Sequence, residues 1–147
     1  MKVAIGCDHG GLDLKEAVIS LLKELNLDYE DMGTHDRSSC DYPDYAEKVA
    51  AAVVSGQCQQ GILVCGTGIG MSIAANKVPG IRAALCNEIF SAKMARNHND
   101  ANILCIGARV VGAGVAQEIV KAYFTSDFEG GRHGRRVEKL NLLDTRK

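Results

Sequence analysis

Short apolar runs alternate with stretches of helical period along nearly the whole chain, and four of the five runs are apolar on both faces. Residues 3–7 form the first run, and 12–27 follow with Leu14, Val18, Leu21, Leu22 and Leu25 at helical spacing. Residues 61–65, 81–86 and 101–107 repeat the apolar run, while 43–56, 71–77, 88–98 and 110–124 repeat the helical pattern. The run at 29–32 is weaker and ends at Gly33. Pro43 opens one helix and Gly56 closes it; Pro79 stops another. A strand that is apolar on both sides must be covered on both sides, which is the condition of a parallel sheet between two helical layers. The expectation is an α/β fold with five parallel strands, in one domain spanning 1–147. A helical tail from about 130 to 147 carries Val137, Leu140, Leu142 and Leu143, an apolar stretch that one small domain would find hard to bury. The tail is therefore expected to pack on a neighbouring subunit and to bring Arg132 and Arg136 to a site shared with it.

A chain of 147 residues leaves little room for a second domain and can build a core without disulfides or a structural metal. With 5% aromatic residues and no Trp, that core must consist of Val, Ile, Leu and Ala. The 46% hydrophobic content excludes disorder. Seventeen basic against eighteen acidic side chains give a net charge of −1, which removes the footprint of a general nucleic-acid binder. Any anion must therefore be bound locally. The apolar segment 3–7 is too short for a signal peptide, and no run approaches the ~20 residues of a membrane helix. Six cysteines without a CxxC pair, several inside apolar runs, read as reduced thiols in a cytoplasmic protein.

Open parallel sheets bind ligands beyond the carboxyl ends of their strands, where the strand order reverses. Asp8-His9-Gly10-Gly11 follows the first strand, and Cys65-Gly66-Thr67-Gly68-Ile69-Gly70 the third. His98-Asn99-Asp100 precedes the fifth strand and Arg109 follows it. The glycine loop presents consecutive N–H groups at a helix start, either as an anion site or as a tight turn. It is neither G-x-G-x-x-G nor a nucleotide P-loop. Beside those donors the Cys65 thiol would become more acidic, as a base or nucleophile; the alternative is a small buried hydrophobe, the better reading for Cys7, Cys86 and Cys105. His98 suits a surface helix end or a catalyst, and His9 a phosphate contact or a loop residue. The four histidines lack metal-ligand spacing. Arg132 and Arg136, four apart and flanked by His133 and Arg135, suit a phosphate dianion or a solvated basic face. Asp41 and Asp44 flank Pro43 and serve as turn and helix-start residues.

Five blocks in order along the chain resemble the type B ribose-5-phosphate isomerases, within a wider family that includes galactose-6-phosphate isomerase subunits. They are residues 6–11, 41–46, 65–77, 98–102 and 130–133. The resemblance implies a Rossmann-like fold and a cofactor-free, metal-free aldose–ketose isomerase acting on a phosphorylated sugar, as a homodimer or dimer of dimers. It implies Cys65 as the base that moves a proton between C1 and C2 through an enediolate. Residues 66–70 (Gly66, Thr67, Gly68, Ile69, Gly70) match the anion hole, and His98 the group that opens the furanose ring. Asn99 and Asp8 match contacts to sugar hydroxyls. His9, Arg109, Arg132 and Arg136 match the grip on phosphate, and Tyr42 a pocket wall. Some members place a glutamate on the helix after the loop; here it reads Ser72-Ile73-Ala74-Ala75, so the cysteine type fits better. Pentose and 6-phosphorylated hexose remain alternatives, because one carbon in a pocket is worth only ~1–3 kcal/mol. A dinucleotide-dependent oxidoreductase would need G-x-G-x-x-G after the first strand, and a phospho-acceptor signalling domain an Asp in place of Cys65.

Overall fold

The computed structural model describes residues 1–144; the end of the expected tail, 145–147, lies outside them. Five parallel strands, β1 (Lys2–Cys7), β2 (Asp28–Asp31), β3 (Gln60–Cys65), β4 (Ala83–Leu85) and β5 (Ile103–Gly107), form one sheet in the order β2-β1-β3-β5-β4. The helices are α1 (Leu12–Glu24), α2 (Tyr42–Val54), α3 (Ile69–Ala75), α4 (Ile89–Asn99), α5 (Ala113–Phe124) and α6 (Arg132–Leu143). The expected α/β fold is therefore present, with boundaries shifted by local chemistry. The first helix ends at Glu24, and Asn26 turns left-handed just beyond it at φ 54°. The fifth starts at Ala113 because the N–H groups of Val110 and Val111 are turned back onto Gly107 O.

Period two along each strand sorts the core into two layers. Val3, Ile5, Ile62, Val64, Leu104 and Ile106 pack against α1, α4 and α5; Ala4, Leu63, Cys65, Ile103 and Cys105 pack against α2 and α3. These central strands are buried on both faces, as their uninterrupted apolar runs require. The sheet therefore lies between two helical layers, with α6 against α4. Among the described residues, no helix is long and apolar enough to cross a membrane.

The start of α1 lies very close to β3. A methyl group on Gly11 would collide with Val64 O, a backbone atom that cannot turn aside. Gly11→Ala is expected to cost about 3 kcal/mol through overpacking, read as a lower urea midpoint at unchanged m-value.

Candidate active site

The strand order reverses between β1 and β3, because the chain steps from β1 to β2 on one side and resumes with β3 on the other. That reversal leaves a crevice above the carboxyl ends of both strands. Cys7 pairs with Val64, and the Asp8 N–H donates to Val64 O at 3.3 Å, so Asp8 and Cys65 border the same crevice. Asp8 is buried, and its Oδ1 accepts the N–H groups of Gly10 at 2.9 Å and Gly11 at 3.1 Å. The Nδ1 of His9 accepts the Cys40 N–H at 3.2 Å, which puts the proton of a neutral ring on Nε2.

Cys65 is 5% exposed, and its Sγ accepts the Gly68 N–H at 3.1 Å. Gly68 makes this contact from the left-handed region, φ 76°, where a side chain would be strained. Thr67 is exposed, with Oγ1 accepting the Ile69 N–H at 3.3 Å. The loop leads into α3, a helix of seven residues, so its own N–H groups supply the donors here. On one side the Tyr42 ring covers Gly70, where a methyl group would meet it at 2.7 Å. The Arg109 side chain crosses Gly66, and the Arg109 N–H donates to Gly66 O at 2.9 Å. Asp8, His9, Tyr42, residues 66–70 and Arg109 thus gather around Cys65. Other buried thiols serve as core: burial pushes Cys7 and Cys86 up to about 11, and Cys105 well above the ordinary thiol range.

His98 and Asn99, which the sequence groups with residues flanking the crevice, lie at the other end of the sheet. Helix α4 returns the chain from the carboxyl end of β4 to the amino end of β5, so its C-terminus stands where strands begin. Arg82, just before β4, donates to Asn99 O at 3.2 Å and, from Nη2, to Asp100 O at 2.8 Å. Asn102 O accepts the Gly61 N–H at the start of β3. Helix α6 reaches the same edge, with Arg82 Nη1 donating to Asn141 Oδ1 at 3.2 Å and the Gly80 N–H to Asp144 Oδ2 at 2.7 Å. Arg132 and Arg136 belong to this second group. The four steps between the five residues of β5, at about 3.3 Å each, set the two edges roughly 13 Å apart.

A cluster that spacing could not reveal forms around His98. The His133 ring stacks on it with centroids 4.2 Å apart and planes within 4°. Glu129 Oε2 stands 3.9 Å from His98 Nε2 and 3.6 Å from His133 Nε2. The donor set is one a divalent cation uses, with the three ligand atoms within 4.8 Å of one another. The geometry does not suit one. Parallel rings direct their in-plane lone pairs side by side, so an ion between them would lie out of both planes, and Arg132 Nε adds a cation 3.5 Å from His133 Nε2.

A model of the ribose/galactose isomerase family matches residues 3–140. The chain belongs to that family. It is 56% identical to YwlF of Bacillus subtilis, over 96% of this chain and 95% of that one. To ribose-5-phosphate isomerase B of Escherichia coli it is 48% identical, over 99% and 98%. The solved ribose-5-phosphate isomerase B of Clostridium thermocellum superposes with a TM-score of 0.98 at 52% identity, covering 99% of each chain.

Within this ribose/galactose isomerase fold, three side chains near the candidate residues escape a reading of the sequence. Cys40 comes from the long loop after β2, with its Sγ 3.8 Å from His9 Nδ1. Lys15 is buried inside α1, donating to Asp31 Oδ2 at 2.8 Å and Thr34 O at 2.9 Å, and so ties down that same loop. Glu129 carries no motif. Lys15, one residue from Leu14 on the apolar face of α1, is the one local signal available, since a buried amine requires a partner.

Proposed function

We propose that this isomerase interconverts D-ribose 5-phosphate and D-ribulose 5-phosphate, in the non-oxidative branch of the pentose phosphate pathway. The observation that carries the reading is a nearly buried Cys65 sulfur, 3.1 Å from the Gly68 N, at the crevice where the strand order reverses. The near-complete overlap with relatives named for ribose 5-phosphate supports the substrate. Cys65, as thiolate, takes the C2 proton of the open-chain aldose. Negative charge passes to the carbonyl oxygen, where Thr67 and the N–H groups of the 66–70 loop other than those of Gly68 and Ile69, which bond Cys65 Sγ and Thr67 Oγ1, receive it. Return of the proton to C1, with a hydroxyl proton passing from O2 to O1, completes the ketose. His98 opens the furanose ring first, and Asp8 and Asn99 hold hydroxyls. His9, Arg109, Arg132 and Arg136 grip the phosphate, contributing binding energy that orients the reacting carbons.

One chain cannot bring His98 to Cys65 across the sheet. We therefore read the working unit as a homodimer or dimer of dimers in which the amino edge of one subunit, with α6, meets the carboxyl edge of its neighbour. Val137 is buried within its own chain, while Leu140 and Leu143 stay 43% and 54% exposed beside that edge. The described residues then form a single domain whose tail, from about 130 onward, contacts the neighbour. The six free thiols suit a reducing cytoplasm.

The test is turnover of ribose 5-phosphate, allose 6-phosphate and galactose 6-phosphate by the purified protein. The expected result is the highest kcat/KM on ribose 5-phosphate. A hexose phosphate turned over with a higher kcat/KM would overturn the substrate assignment.

A further inference from the structure

Two neighbours of His98 have no part in the chemistry above. His133 lies flat on its ring, buried, and Glu129 faces the Nε2 atoms of both imidazoles. Their placement is built into the backbone. Gly130 and Gly131, at φ 65° and 55°, reverse the chain so that α6 starts over the last turn of α4. The Glu129 N–H donates to Asn97 O at 3.0 Å, and Asn97 Nδ2 donates to Asp127 O at 2.8 Å. The residue that precedes His98 thus anchors the segment that carries both neighbours.

The charges around the pair favour a division of labour. Burial holds the His133 imidazole below the ordinary histidine range, and the nearby charges of His98, Arg132 and Arg136 act in the same direction, with Glu129 opposing them. A neutral His133 offers a flat face without repelling a proton on His98. Ring opening needs such a proton carrier: the C1–O4 bond breaks, the anomeric O1–H gives up its proton as C1=O1 forms, and O4 gains a proton. An imidazole free to rotate would meet these oxygens only part of the time, whereas one clamped between a ring and a carboxylate keeps a single orientation.

We propose that Glu129 and His133 are positioning residues for ring opening, His133 by stacking under the His98 imidazole and Glu129 by facing its Nε2. This rests on the reading of His98 as the ring-opening group. The experiment separates the two. In a Cys65→Ala background isomerisation is blocked, yet ring opening still interconverts the α and β anomers of ribose 5-phosphate, measurable by magnetisation-transfer NMR. Added to that background, Glu129→Gln and His133→Leu are expected to slow enzyme-dependent interconversion about tenfold or more. His133→Phe, which restores a flat ring, should stay within about threefold of the parent, with ribose 5-phosphate affinity unchanged in all three. The Phe and Gln variants carry the test if His133→Leu does not fold. If the parent fails to speed interconversion, or does so equally with His98→Asn, the reading of His98 falls and the inference with it. If the parent is active and His98→Asn is not, but Glu129→Gln and the His133 variants keep the parental rate, the inference alone is overturned. A loss matched by an equal loss of ribose 5-phosphate affinity also overturns it, because a damaged site would then account for the effect.

Discussion

Cys65→Ala is expected to lower ribose 5-phosphate turnover by about a thousandfold, because one sulfur carries the proton between C2 and C1 and general acid–base groups contribute ~10²–10⁴ in rate. The fold should survive. Removing a single Sγ from a site bordered by a loop and a solvent-facing crevice costs about 1 kcal/mol, well short of the stability of a domain this size. Cys7→Ala is the matched control. It deletes a sulfur that is fully buried on the other face of the sheet, with a thiol pushed up to about 11, and should leave turnover close to wild type. Turnover by Cys65→Ala within about tenfold of wild type would remove the base assignment, since that is less than such a group contributes.

The second large effect is a gain of activity from two inactive chains. Cys65→Ala and the double variant Arg132→Ala/Arg136→Ala should each be nearly inactive alone. If α6 delivers its arginines to the neighbour's Cys65, a mixed dimer holds one site with both defects and one with neither. Equal amounts reassorting at random make about half of the dimers mixed, so activity should return to roughly a quarter of wild type. The separation of the two residue groups across the sheet motivates this expectation: Cys65 ends β3, while α6 and its C-terminal cap Asp144 are bonded to Arg82 and Gly80 just before β4. Co-refolding with verified subunit exchange and no recovery would mean that every site keeps a defect, and the shared site would be excluded.

The parts of this protein that are legible in its sequence are those written in local spacing. Both-sided apolar runs imply buried parallel strands, because a pleated strand presents alternate residues to opposite faces and each face here is apolar. Asp8 with its two glycines and Cys65 with the 66–70 loop can be recognised as strand-end turns because every contact within them spans only a few residues. Strand order decides the rest. Only the order β2-β1-β3-β5-β4 sets Asp8 beside Cys65 and Arg109 over Gly66, and no periodicity encodes which strands become neighbours. The same holds for Tyr42 on Gly70, His9 on Cys40, and His133 on His98, each pair joined across a long sequence separation. Spacing along the chain therefore accounts for the layers and the two turns, whose physics is local. That His98 and Cys65 face opposite edges emerges only from the assembled sheet, because a crossover helix between parallel strands must carry its last turn back to where the next strand begins.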